Sequence, residues 1–168
     1  MIETIQKYIL RFIILIFIQI YLFNNIRLSG YINPNIYILF LLLLPFETPG
    51  WLLLISGFLL GMTVDIFMDT IGVHTIACVT LAVFRPLILK IISPREGYES
   101  GTNPRILYYG FIWFLKYAAV LILIHHLVLF YTETFQLGNF FITFLRVILS
   151  SFITLILIIL SQYFVFRK

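Results

Sequence analysis

The chain has 168 residues, 62% of them hydrophobic and 11% charged, with a formal net charge of +4 and a mean hydropathy of +1.09. Soluble domains average roughly 45–50% apolar and about 25% charged residues, so a water-soluble globule is excluded and a single integral membrane domain over 1–168 is expected. Cys78 is the only cysteine, which excludes a disulfide framework or a cysteine-based metal site within one chain. The basic residues sit at loops and ends, as topology-setting charges do, so no nucleic-acid partner is expected.

Residues 1–11 form a basic lead with Lys7 and Arg11. No small-residue cleavage site follows the apolar run 12–23; Asn24, Asn25 and Ile26 stand there instead. The run therefore reads as a first span, beginning near Tyr8, and not as a signal peptide. Residues 28–35 form a loop, marked by Ser29-Gly30 and Asn33-Pro34-Asn35, both turn signals. Residues 36–46 are apolar but stopped by Pro45, short of the roughly 17–25 residues a span needs. A short, tilted or kinked second span is expected there, with a re-entrant segment as the other option.

Glu47-Thr48-Pro49-Gly50 is a tight turn, and 51–68 is the third span, with Trp51 placed as an interfacial anchor. The fourth span, 71–92, carries Arg85-Pro86, where the proline should kink the helix or thin its hydrogen bonding. Residues 93–105 are the longest polar stretch. The fifth span, 106–131, contains Lys116 and His125-His126; the 132–138 loop has Glu133 and no basic residue; the sixth span, 139–166, contains Arg146. Arg167-Lys168 closes the chain. The reading is an all-α, polytopic helical bundle of about six spans. Lys and Arg concentrate at both termini and around 93–105, so the positive-inside rule places both termini in the cytoplasm. Arg27, in an outer loop, is the exception.

The functional stretch is 57–74, GFLLGMTVDIFMDTIGVH. Asp65 and Asp69 lie one helical turn apart on one face. A carboxylate within an apolar span needs a polar partner, a wet cavity or a protein interface. At a rise of about 1.5 Å per residue, Asp65, His74, His125, His126 and Arg146 share the outer third of the membrane. Asp65 is therefore expected to be neutralised by Arg146 or a nearby histidine. Asp69 either caps the fourth helix, as Asp commonly does, or belongs with Asp65 to an outer polar site for a partner. Gly57 and Gly61 form a small-xxx-small pattern, read as packing within the chain ahead of dimerisation. The histidines lack HExxH or His-x₃₋₅-His spacing, and no serine elbow or Walker loop is present. No catalytic, metal or cofactor residue is expected. Snorkelling, or pairing with acids across helices, is the plain account of Arg85, Lys116 and Arg146.

The order Pro45, then Gly57, Gly61 and Asp65 in one span, then Phe67, Gly72 and His74, then Arg85-Pro86-Leu87, resembles the MreD family. These are small membrane subunits of the bacterial cell-elongation machinery. The motif covers about 57–87; length and span pattern match over nearly the whole chain. The resemblance implies a non-enzymatic inner-membrane scaffold, without cofactor. It would bind MreC and, indirectly, a class B penicillin-binding protein, RodA and MreB, and so help organise lateral peptidoglycan synthesis and rod shape. It also implies a bundle similar to the substrate-binding subunits of energy-coupling-factor transporters, hence an alternative function as a vitamin-capture subunit. Gly57, Gly61, Asp65, Asp69, Gly72, His74, Arg85 and Arg146 are the residues expected to build the site, with the outer end of the 51–87 hairpin helping to hold the surface that receives MreC.

Overall fold

The computed structural model describes residues 2–23, 32–134 and 140–164. Arg27, the Asn24-Asn25 pair, residues 135–138 of the last loop and Arg167-Lys168 lie outside the described residues. All regular structure among the described residues is helical. Helix α1, Ile2–Ile18, continues through a π-turn at Gln19–Phe23. A 3₁₀ turn, Ile36–Ile38, runs into a single α-turn, α2, Leu39–Leu42. Then come α3, Gly50–Met68; α4, Val73–Ile91; the short α5, Ile106–Tyr109; α6, Phe111–Thr134; and α7, Phe140–Phe164.

Among the described residues, five helices are long and apolar enough to cross a membrane: Gln6–Phe23, Gly50–Met68, Val73–Ile91, Phe111–Thr134 and Phe140–Phe164. They match the first, third, fourth, fifth and sixth expected spans. Their outer faces carry large exposed apolar side chains such as Phe58, Ile66, Ile112 and Phe152, the surface a lipid-facing bundle presents. The fifth expected span is broken near its start. Gly110 takes φ +80, a conformation that suits glycine and ends α5 before α6 begins.

The second expected span is not a continuous membrane helix. Residues 33–46 thread through the middle of the bundle, with Tyr37, Ile38, Leu41, Leu42 and Leu43 at 0% exposure. The reason is local. Pro34 and Pro45 bracket too few residues for a spanning helix, so the segment descends as a broken one. Irregular backbone at membrane depth survives only where protein satisfies its polar groups, and here the neighbouring helices do so. At one end the Asn33 amide donates to Ser150 Oγ (3.1 Å) and the Asn35 amide to Thr154 Oγ1 (3.1 Å). Gln19 Nε2 donates to Pro34 O (3.1 Å), while its Oε1 accepts from the Ile36 amide (2.8 Å). At the other end Tyr117 Oη donates to Leu42 O (2.9 Å), and Arg85 donates to the carbonyls of Leu44 and Pro45.

Along α6 the segment passes from His126 to Tyr117, nine residues or about 14 Å of helix. Beyond it, Phe46 stacks on Tyr98 with ring centroids 4.1 Å apart. The threaded segment therefore supplies a downward traverse between α1 and α3. As a result α1 begins, and α7 finishes, at the end of the bundle carrying the 93–105 loop (the loop end). The α3–α4 turn marks the opposite, turn end.

Arg85 sits in α4 and is 1% exposed. It neither snorkels nor meets an acid, against expectation. Its Nε donates to Tyr117 Oη (2.9 Å), and its Nη2 to the two carbonyls above. Arg85→Met keeps the stem but leaves those carbonyls without a donor. At roughly 1–3 kcal/mol per unsatisfied buried group, a loss of about 2 kcal/mol is expected in a detergent-solubilised unfolding titration. An unchanged midpoint would remove Arg85 as the clasp of the segment.

At the loop end, Tyr98 Oη donates to Leu89 O (2.7 Å) and Trp113 Nε1 to Ile92 O (3.0 Å). Burial pushes the Tyr98 phenol up to about 12. A phenol whose pKa is raised on folding holds its proton longer in the folded chain, so its stabilising contribution falls as pH rises from about 10 toward 12. The difference between wild type and Tyr98→Phe in a 295 nm titration should show one phenol ionising well above pH 10. A difference centred at 10 would contradict this.

Candidate functional site

Helices α3 and α4 form a tight hairpin, and the reason lies in two glycines. A Cβ on Gly57 would sit 3.0 Å from Cys78 O and 3.2 Å from Ala82 Cβ. A Cβ on Gly61 would lie 2.4 Å from Thr75 Cα and 2.6 Å from its amide nitrogen. Both glycines thus serve close approach within the chain, the favoured of the two sequence readings.

That approach brings the N-terminus of α4 onto Asp65, which is 5% exposed. One Asp65 oxygen accepts from the His74 amide (3.0 Å), His74 Nδ1 (2.9 Å) and Thr70 Oγ1 (2.6 Å). The other accepts from the Thr75 amide (2.9 Å) and Thr75 Oγ1 (2.6 Å). Two of these donors are first-turn amides of α4, which have no partner inside their own helix. Asp65 therefore caps the next helix from the preceding one, its charge placed at the positive end of the helix dipole.

Of the two expected partners for Asp65, the histidine is the one present. Arg146 instead pairs with Glu133 (3.1 Å), lies over the Phe130 ring (4.5 Å) and meets the Asn33 amide, oriented with its oxygen toward the guanidinium (2.8 Å). The capping role read for Asp69 is also corrected. Asp69 has φ +54 and ends α3 in the left-handed conformation, which Asp tolerates better than most residues. Gly72, at φ +75, is the residue preceding α4.

His125 and His126 are both 0% exposed, and both hold the threaded segment. His125 Nε2 meets Tyr37 Oη at 3.1 Å. His126 Nδ1 faces Ile122 O at 2.9 Å, so it carries the proton, and Nε2 accepts from Asn35 Nδ2 and Thr154 Oγ1, each at 3.3 Å. The roughly 100° between consecutive helical side chains lets one histidine take Tyr37 and its neighbour Asn35. Lys116 is exposed on the lipid-facing side of α6, as snorkelling requires.

Above these groups, at the turn end, lies a cavity of about 310 Å³ whose walls include Gln19, Asn35, His74, Glu133 and Arg146. Among the described residues no cluster of three or more His, Cys, Asp or Glu side chains could hold a metal ion. Sequence reasoning missed Gln19, Asn35, Tyr37, Tyr117 and Thr154 as parts of this network. A signal existed for Gln19 and Thr154: each is a polar group inside an apolar run, which in lipid calls for a partner. Asn35 was legible only as a turn residue. Comparison of the chain with family models, curated proteins and solved structures finds no match.

Proposed function

We propose that this chain is a non-enzymatic scaffold of the bacterial cell-elongation machinery, related in role to the MreD proteins it resembles. In this reading it sits in the inner membrane with its loop end cytoplasmic, as the Lys and Arg distribution favours. It binds MreC and, through MreC, serves the class B penicillin-binding protein, RodA and MreB in lateral wall synthesis. A bundle in the style of the energy-coupling-factor substrate subunits belongs to the same proposal.

One observation carries the scaffold reading. The costly polar groups of the bundle are spent on holding the chain together. Asp65 takes five hydrogen bonds from residues 70–75, and both interior histidines are tied to the threaded segment. Cys78 Sγ lies 3.9 Å from His125 Nε2, but both residues are 0% exposed and the same nitrogen meets Tyr37 Oη, so the pair presents no nucleophile to a substrate. With little mass in its loops, such a protein recognises partners through its apolar helix faces and its two ends.

Because Asp65 is internal, substituting it tests the fold and not the interface. The direct experiment is affinity purification of the tagged full chain, co-expressed with MreC, in mild detergent. Stoichiometric MreC is expected. An abundant, monodisperse chain recovered without MreC refutes the scaffold role. A second reading, a small-molecule capture subunit of a vitamin transporter, draws support from the turn-end cavity. Recovery of ATPase subunits in place of MreC would select it.

A further inference from the structure

We propose that an apolar groove between α1 and α3 holds one acyl chain of an anionic phospholipid, whose phosphate is taken by the basic residues of α1. The proposal stands apart from the scaffold reading and holds for the bundle whatever its protein partner.

The groove, about 240 Å³, has Tyr8, Ile9 and Phe12 of α1 on one side, Ser56 and Leu59 of α3 on the other, and Phe40 of the threaded segment. Phe12 meets Phe40 edge to face at 5.2 Å, which props α1 on the threaded segment. Phe40 is 7% exposed, while Ile9 and Leu59 are 55% and 50% exposed. The groove therefore has a buried floor and opens on the lipid-facing surface. Ser56 and Leu59 stand about 9 and 14 Å along α3 from Gly50 at the loop end, so the groove lies in the leaflet at that end. Left empty, its lining would lose the dispersion contacts that packed atoms gain, and hydrocarbon is the solvent on this surface. A helix, about 10–12 Å across with its side chains, is too thick to enter. A single chain is not.

Charge decides which lipid. Lys7 and Arg11 lie one helical turn apart on one face of α1. The Arg11 guanidinium reaches back toward the loop end, over the ring of Tyr8 in the groove wall (5.7 Å). Arg105, just before α5, is near enough to repel it. A phosphodiester anion there offsets the repulsion, and guanidinium suits phosphate geometry. A zwitterionic headgroup would bring a further cation into the cluster.

The test offers the detergent-solubilised full chain equal amounts of phosphatidylglycerol and phosphatidylcholine with identical acyl chains and reads bound lipid by native mass spectrometry. Wild type should retain phosphatidylglycerol with a preference of about five-fold or more, the selectivity of a single basic contact. Lys7→Gln, at an exposed position, should lower that ratio by about half, and adding Arg11→Gln should bring it near one. Ser56→Leu fills the groove but leaves the basic cluster intact, and it should cut bound phosphatidylglycerol several-fold. Equal retention of the two lipids by wild type, a ratio unchanged in K7Q and in the double variant, or wild-type lipid binding by S56L overturns the proposal. So does a wild-type dimer that S56L converts to monomer, which assigns the groove to a second copy of the chain. None of these results bears on MreC recovery, so this test and that of the scaffold fail separately.

Discussion

Asp65→Leu should lower stability by about 3–5 kcal/mol, the range for removing one partner from a buried charged network. Leucine keeps the branching of the carboxylate, but its methyl groups are bulkier than oxygens held 2.6–3.0 Å from their donors, so some crowding accompanies the main loss. The main loss comes from five stranded donors. The hydroxyls of Thr70 and Thr75 can rotate toward other acceptors. The amides of His74 and Thr75 cannot, because α4 fixes their direction, and each unmet buried donor costs about 1–3 kcal/mol. Asp65→Asn should fall between, since it keeps one acceptor oxygen but turns an NH₂ toward donors. Asp69→Asn should change little, because Asn also takes the left-handed conformation that Asp69 adopts at φ +54. Cys78 reports the outcome directly: it is the only cysteine and 0% exposed, so a thiol-reactive dye labels it only on opening. Equal labelling midpoints for D65L and D69N would show that Asp65 is not the cap of α4.

Gly61→Val should separate the hairpin. Even a single Cβ meets Thr75 Cα at 2.4 Å, backbone against backbone, with no flexible side chain to yield. Overpacking costs roughly 1–3 kcal/mol and occasionally more; with rigid helices on both sides, about 3 kcal/mol or more is expected. Gly57→Ala, with its nearest contact at 3.0 Å, should cost only about 1 kcal/mol by the same scale. The Gly61 effect should also be coupled to Asp65, because the displaced Thr75 amide is one of the donors to Asp65 (2.9 Å). The double variant should therefore lose less than the sum of the singles, by roughly 0.5–3 kcal/mol. A G61V chain with wild-type unfolding and an altered oligomeric state would instead assign the glycine pair to dimerisation.

The readable part of the fold was the part written as long apolar runs. Spans 51–68 and 139–166 stand out because lipid tolerates only helices whose backbone is satisfied internally, and about 20 apolar residues announce one. The 36–46 run defeated that logic. Its length contradicted a spanning helix, and its true state depends on donors from elsewhere: Tyr117 and Arg85 on two other helices supply its carbonyls. No window around residue 40 contains them. Asp65 was half legible. Its burial and its need for a partner followed from hydropathy, and His74 was among the partners expected. That its carboxylate would bind the amides of α4 depends on how closely the hairpin packs.

Arg85 and Arg146 show the same limit. Each is a cation in an apolar span, and the expectation for both was lipid headgroups or an acid. Arg146 found an acid, though Glu133 and not Asp65. Arg85 found carbonyls, a class of acceptor present at every residue and therefore invisible as a sequence pattern.

By itself the sequence determined that this is a helical membrane protein, where its long spans lie, and that Gly57, Gly61, Asp65 and His74 belong together. Hydrophobicity and helical spacing are local properties and need no neighbours to be read. Only the tertiary structure decided that the second traverse is a broken segment threaded through the bundle, and which donor answers each buried acceptor. Hydrogen bonds between segments as far apart as Asn35 and Thr154 exist only once packing has set their distance.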